Sequence, residues 1–576
     1  MFVERIPNRN SNPTFLIRES KWVNGSAVKR TLANITKLPD AIIEQIRLLL
    51  KGGTVVQEFK DMFDTQSNLP HGHVAAVLGT MEQLKIPELI APQNSRFRRL
   101  VLGMIAARVL RPVSKLATGS MMDSECPSST LNEELALKRV DQDDLYEAMD
   151  ALVKQKTSIE CRLAKRHLKE GALVLYDVTS SYVEGEQNEL ADFGYNKDKK
   201  RNKKQIVIGL MTDEDGCPVG VEVFKGNTAD VSTLSAQIVK LQTTFGLENV
   251  VLVGDRGILK QKQLHEEIMP VGLDWVTAMQ KSQIRDIVDQ QEVQMSLFDE
   301  QNLTEIYSDL YPEDRLILCK NPVLAVAKKK KREQLLRLTE KELDPIVKAT
   351  KRSSHPLKGK DRMAERVGKV IHKYKMAKFF DRKYEEDSFS YSRKKELIEK
   401  AELLDGVYAI RSSLKEHPEA KQLVANYKRL STVEIAFRTM KTMSLQVRPI
   451  YHRKEHRVIA HVFLCMLAYY VEYHMRLKLA PILFAEENPL QRRAQREDVV
   501  APSQPSETAK KKASKKKTET GEDVLSFASV LEKLSGVCRM VVIPKISAKK
   551  KPTVVMVRKV GNTQKRAFDL LGVKYS

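Results

Sequence analysis

Residues 1 to 40 alternate apolar and polar positions around turn-rich pieces, as in FVERIPNRNSNPTFLIRESKWVNGSAVKRTL. That alternation predicts short antiparallel strands, with a turn at Asn24-Gly25. From about Pro39 to Leu168 apolar residues recur three and four apart, in AIIEQIRLLL and RRLVLGMIAARVL, which predicts helices. Arg96, Arg98 and Arg99 lead the second of these helices. Between Gly171 and Gln280 the pattern changes to apolar runs: ALVLYDVTSSYV, QIVIGLMTDEDG and PVGVEVFKG, a helical STLSAQIVKLQTTFG, NVVLVGDRG, a helical KQKQLHEEIM, and DWVTAMQ. The order is β-β-β-α-β-α-β. The Glu214-Asp215-Gly216 turn joins two strands directly, so they pair antiparallel, whereas strands separated by helices can pair in parallel. The expected fold class is α/β: a mixed five-stranded sheet flanked by helices.

The rest of the chain divides by composition. Residues 284–403 are strongly charged and mostly helical in pattern, an insertion between a first part of the sheet domain (169–283) and a second (404–485) that resumes with GVYAIRSS. Residues 1–168 form an N-terminal region, ribbon then helices. The Lys, Ser and Pro-rich stretch 486–522 is expected to be a flexible, solvated linker, followed by a basic C-terminal segment, 523–576.

Charge narrows the partner. Lys plus Arg number 97 against 74 Asp plus Glu, a formal +23 over 576 residues. The excess recurs along the chain, so a polyanion is the expected partner, although charge alone does not separate DNA from RNA or from anionic lipid. The most apolar run, Val458–Val471, carries His461 and is too short for a membrane span, and MFVERIPNRN has no signal-peptide core. The six cysteines show no C-x-x-C pair, which suits a reducing cytosol. His452, His456 and His461 have no partner set at zinc spacing.

Asp177 ends the apolar strand ALVLY and Asp255 ends VVLVG. Ligands bind at strand ends in an open α/β sheet. If the two strands are parallel neighbours, both carboxylates emerge on one edge within reach of a shared divalent cation, for which Mg²⁺ with carboxylate, phosphate and water ligands is suited. Two such ions, roughly 3.5 to 4 Å apart, activate an attacking oxygen and stabilise a leaving one in phosphodiester chemistry. The competing structural role is a turn, since Gly254-Asp255-Arg256-Gly257 is also ordinary turn sequence. Further on, NYKRLSTVEIAFRTMK spaces Tyr427, Glu434 and Lys441 seven apart, which returns within ~20° of one helix face if the helix is continuous. Val433, Phe437 and Met440 make an adjacent apolar stripe, and Arg438 lies one turn beyond Glu434. Glu434 also has a purely structural alternative, a capping box with Ser431.

These residues resemble the DDE transposases encoded by bacterial insertion sequences. Asp177, Asp255 and Glu434 look like their catalytic triad, and Tyr427, Glu434 and Lys441 fall at the intervals of the Y-x2-R-x3-E-x6-K signature of the insertion sequence four superfamily. The chain departs at the Arg, where it has Leu430; Arg429 or Arg438 is left to replace it. YDVTSSY, DFGYNKDKKRNKKQIVIGL, GNTAD, VLVGDRGI, DGVYAIRSS and VRPIYHRKEHRVIAHVFLCMLA extend the resemblance over most of 171–280 and 404–470. It implies an RNase H-like catalytic core, two Mg²⁺ or Mn²⁺ ions held by the three acids, and cleavage at the terminal inverted repeats of a mobile element with joining of 3′ ends to target DNA. It further implies a prokaryotic, nucleoid-associated cytoplasmic protein that works as a homodimer on synapsed double-stranded DNA ends, with no membrane partner. Tyr427 and Lys441 would hold a phosphate beside the scissile bond. The further candidates for DNA contact are Arg429, Arg438, Trp275 by stacking on a displaced base, and Arg96, Arg98 and Arg99 in residues 1–168, which are expected to be an N-terminal DNA-binding region. Two other readings share the chemistry or the binding: a structure-specific nuclease without strand transfer, and a transposase-derived regulator.

Overall fold

A computed structural model of the chain describes all residues except 10, 24, 54–62, 126, 291–301, 443, 497, 502, 546–551 and 576. The chain separates into two compact units, Met1–Pro70 with Val537–Lys559, and His71–Gly536 with Val560–Ser576.

In the first unit β1 (Phe2–Ile6), β2 (Thr14–Val23) and β3 (Ser26–Asn34) form an antiparallel sheet in that order. Val23 pairs with Ser26, which leaves a two-residue connection of Asn24 and Gly25. Gly25 takes φ +79°, a region that favours glycine; Asn24 lies outside the described residues. Helix α1 (Asp40–Leu50) packs on β1. A second sheet pairs β4 (Phe63–Pro70) with the distant β15 (Cys538–Pro544), which in turn pairs with β16 (Val554–Val557). Residues 1–168 therefore do not form one body: the chain divides at Pro70, and strands from the C-terminal segment complete the first unit. No local periodicity encodes that pairing.

The second unit is built on a mixed sheet. Its strands are β5 (Leu173–Tyr182), β6 (Gln205–Thr212), β7 (Pro218–Phe224), β8 (Val251–Gly254), β9 (Asp274–Ala278), β10 (Leu303–Ile306), β11 (Arg315–Lys320) and β14 (Val407–Ser412). Their order is β10-β11-β14-β9-β8-β5-β6-β7. β5, β6 and β7 pair antiparallel, while β8 runs parallel to β5 and β9 parallel to β8. The sheet has eight strands where the sequence pattern predicts five, because β14 and two strands from the charged insertion continue it past β9. β6 is buried at every position, as a strand covered on both faces should be.

Helices α2 (Gly72–Gln83), α3 (Arg96–Leu110) and α4 (Gln142–His167) precede the sheet in the chain. Within the insertion, α5 (Pro322–Thr350) and α6 (Lys360–Tyr374) pack around Leu343, Met363, Val367 and Phe389, beside a hairpin of β12 (Phe380–Tyr384) and β13 (Phe389–Arg393). After β14 come α7 (Ala420–Lys428), α8 (Leu430–Lys441) and α9 (Glu455–Leu479). Helix α9 packs on α3, α4 and β7. The segment Glu455–Ile482 is long and apolar enough to cross a membrane by composition, yet 83% of its apolar window is buried inside the fold. A helix apolar all round is accounted for by such a position. The stretch 486–522 is not a bare solvated linker: helices Pro489–Ala494 and Glu507–Lys515 form there, and Lys512 is buried with Nζ donating to the carbonyl of Ala480 at 3.0 Å. Lysine composition predicts solvation, but a carbonyl pair left at the end of α9 gives this ammonium partners.

Four charges tie α4 to the sheet. Lys156 and Lys240 both pair with Glu160 and with Glu222 on β7, and Glu160 also accepts from the Val221 amide at 2.8 Å. Burial pushes the Glu222 carboxyl up, but Lys240 and Lys156 outweigh it and hold the group below its ordinary value.

Candidate active site

The parallel ladder between β5 and β8 ends on the pair Tyr176–Gly254, so Asp177 and Asp255 are the next residues on adjacent strands. Asp255 does serve the turn: its Oδ1 accepts from the Gly257 and Ile258 amides. Among the described residues Oδ2 has no partner, so the turn and a ligand role use different oxygens. Asp177 Oδ1 accepts from its neighbour's amide, Val178, at 2.7 Å.

Helix α8 packs on β5 and β6, burying Val433, Phe437 and Met440. Glu434 lies on the exposed side of that stripe and makes no hydrogen bond or ion pair among the described residues. The capping box is not formed. The helix starts after Arg429, and the Ser431 hydroxyl instead donates to the Lys428 carbonyl at 2.9 Å. Helices α7 and α8 are separated only by Arg429, itself in helical conformation, so the seven-residue spacing carries through the junction.

The electrostatics register that convergence. Burial pushes the Asp177 carboxyl up to about 6; the Val178 amide and the Lys197 ammonium oppose the rise, and the charges of Asp255 and Glu434 add to it. The Tyr427 hydroxyl is pushed up to about 12 by burial and by Asp255, Asp177 and Glu434, with Arg256 opposing. Tyr427 therefore feels all three acids. Each of the three carboxylates keeps an oxygen without a partner among the described residues, hard donors of the kind that suit Mg²⁺ or Mn²⁺, although these oxygens are not gathered within 4.8 Å of one another.

The basic candidates sort differently. Arg438 is exposed and has no partner for its guanidinium among the described residues. Arg429 is engaged, pairing with Glu214 and Asp215 in the β6–β7 turn. Lys441 is buried, not displayed: Nζ donates to Thr179 Oγ1 at 2.7 Å and Asp198 Oδ1 at 3.0 Å, and to the Ser180 carbonyl. Its pKa is lowered by burial, against the pull of Asp198. Trp275 is 1% exposed within β9, with the Arg411 guanidinium over its ring, so no base reaches it. Arg96, Arg98 and Arg99 bind the carbonyls of Arg139, Ala91 and Ala136, and Arg96 also pairs with Asp144. These three tie loops to α3.

Two residues near Asp177 are ones that the spacing of motifs does not single out, Lys197 and Asp198. Lys197 donates to the Val178 carbonyl at 2.6 Å and to Asp230 at 2.9 Å, next to Asp177. Asp198, its side chain 3% exposed, receives both Lys441 and Arg448. The available signal was a lone acid inside the basic run NKDKKRNKK, since an acid retained among so many cations is a candidate for a specific pair.

The matching family model is the transposase DDE domain, over residues 169–471, a span that holds Asp177, Asp255 and Glu434. No curated protein matches the chain. Seven chains of solved structures match. One is the cryo-EM structure of a piggyBac transposase synaptic complex with hairpin DNA, at 9% identity, covering 81% of this chain and 76% of that one with a TM-score of 0.33.

Proposed function

Because the chain belongs to the transposase DDE domain family, we propose that it binds the terminal inverted repeats of a mobile DNA element, cleaves at the ends, and joins the 3′ ends to target DNA. The observation that carries the chemistry is that Asp177 and Asp255 directly follow the last pair of the β5–β8 parallel ladder and that their charges, with that of Glu434, bear together on Tyr427. This is the arrangement an RNase H-like core would need, and membership of the insertion sequence four superfamily follows the Tyr427, Glu434 and Lys441 spacing, with Leu430 in place of the arginine.

Asp177, Asp255 and Glu434 would hold the two divalent ions. When bound, these supply charge neutralisation and activation of a water or 3′-hydroxyl oxygen. The chain's own residues do the positioning. Lys197 partly offsets the cost of the Asp177 charge. Asp198, fixed by Lys441 and Arg448, holds the segment that carries Lys197. Arg438, one turn beyond Glu434 and exposed, is placed to take a backbone phosphate, and it replaces the signature arginine better than Arg429, which the β6–β7 turn occupies. A homodimer on two synapsed ends at the nucleoid completes this reading.

The test uses 3′-hydroxyl donor ends bearing the inverted repeats that flank the reading frame, a supercoiled plasmid target, and Mg²⁺ or Mn²⁺. Integrated products from the wild type, their loss in Asp177→Asn, Asp255→Asn and Glu434→Gln, and retained DNA binding by all three are expected. Cleavage without integration would replace this reading with a nuclease, and binding without any cleavage would replace it with a regulator.

A further inference from the structure

Beside the β6–β7 turn, three metal-binding side chains from three separate elements converge. His167 is the last residue of α4, Cys217 precedes β7, and His474 lies on α9. Cys217 Sγ is 3.9 Å from His167 Nε2 and 3.8 Å from His474 Nε2, and the three donor atoms lie within 4.8 Å of one another. Cys217 is 1% exposed. We propose that His167, Cys217 and His474 bind one zinc ion, a structural metal separate from the carboxylate site.

The geometry fits the ion. Zinc–sulfur and zinc–nitrogen bonds of about 2.3 and 2.0 to 2.1 Å at a tetrahedral angle set sulfur and nitrogen roughly 3.5 Å apart. Small side-chain rotations close the present separations to that value. The surroundings also orient the donors. Asp213 Oδ2 stands 3.6 Å from His167 Nδ1, longer than a hydrogen bond but at the ring nitrogen that does not face the sulfur. Asp213 Oδ1 accepts from the Cys217 amide at 2.9 Å, fixing the residue that carries the sulfur. The Tyr470 hydroxyl, 2.9 Å from His167 Nε2, is the hydrogen-bond partner that zinc would displace from that nitrogen. Binding breaks the Cys217 S–H bond, forms a sulfur–zinc bond and releases the proton to solvent, without oxidation or reduction.

The site has a structural consequence for the catalytic helix. The turn that ends in Cys217 also holds Arg429, at the start of α8, through Glu214 and Asp215. Gly216 takes φ +90°, and a Cβ there would lie 2.7 Å from Thr432 of α8. Zinc would thus fasten α4 and α9 to the turn on which the glutamate-bearing helix begins.

The experiment is metal analysis of the full-length chain, expressed in zinc-supplemented medium and purified without chelator, beside Cys217→Ser and Asp255→Asn. One zinc per chain in the wild type and in Asp255→Asn, with at least a tenfold loss in Cys217→Ser, is expected. Cobalt added to the metal-stripped wild type should give a thiolate-to-cobalt charge-transfer band that Cys217→Ser lacks and His474→Gln weakens. Should Cys217→Ser prove insoluble, the cobalt band in the wild type and in His474→Gln still decides. A wild-type chain that takes up no zinc and shows no such band, or a serine variant with undiminished zinc, would overturn the site; copper(I) uptake with zinc excluded would overturn the choice of ion.

Discussion

Lys441 donates to Asp198 at 3.0 Å with both side chains buried, so the last lysine of α8 braces the segment beside β5, the strand that carries Asp177. Removing one partner of a buried pair strands the other, although Arg448 still reaches Asp198. Lys441→Met is expected to lower stability by about 3 kcal/mol, with strand transfer falling in parallel. Thermal unfolding alongside DNA affinity checks this. A variant with unchanged melting temperature and weakened DNA binding would instead make Lys441 a phosphate contact.

Asp177 is costly to keep ionised in the free protein. Its folded pKa, about 6, lies above the ordinary 3.8, so the folded state binds more protons between those values and stability declines as pH rises through that window. At neutral pH the cost is up to about 3 kcal/mol. Asp177→Asn should therefore abolish cleavage and raise the melting temperature of the metal-free protein at pH 7, with the gain vanishing below pH 4. A destabilised Asn variant at pH 7 would contradict the assignment.

Arg438 is exposed and without a partner among the described residues, so Arg438→Ala should leave stability within about 0.5 kcal/mol. If the guanidinium neutralises one phosphate, log affinity against log salt should flatten by about 0.9. Fluorescence anisotropy over a salt series measures both. An unchanged slope would place the phosphate contact elsewhere.

The network of Glu160, Glu222, Lys156 and Lys240 should set acid stability of the second unit. Glu222 is held below its ordinary 4.5, so its contribution is complete above that pH and is lost as pH falls through the lower folded value. Glu222→Gln should flatten the acid limb of a stability–pH profile, whereas Glu160→Gln, which leaves two buried lysines short of a partner, should cost about 3 to 5 kcal/mol at neutral pH. Urea melts from pH 3 to 7 distinguish the two.

Much of the site was written in local patterns. The apolar run ending in Asp255 marked the end of β8, whereas Asp177 lies inside β5, which continues along β6 to Tyr182; the helical period around Glu434 was legible because it depends only on neighbouring residues. The span matched by the family model, 169–471, contains those same elements.

What the sequence by itself determined is the kind of element each segment forms and which residues share its faces. Only the tertiary structure decided the partners: β4 with β15, the insertion's β10 and β11 at the end of the sheet beyond β14, Lys441 with Asp198, and His167 with Cys217 and His474. Those pairings join residues far apart in the chain, where no period connects them. Packing also decided which charges face water. Lys441 and Lys512 look like solvated lysines in sequence, but each is buried where a carboxylate or backbone carbonyls offset the loss of its hydration.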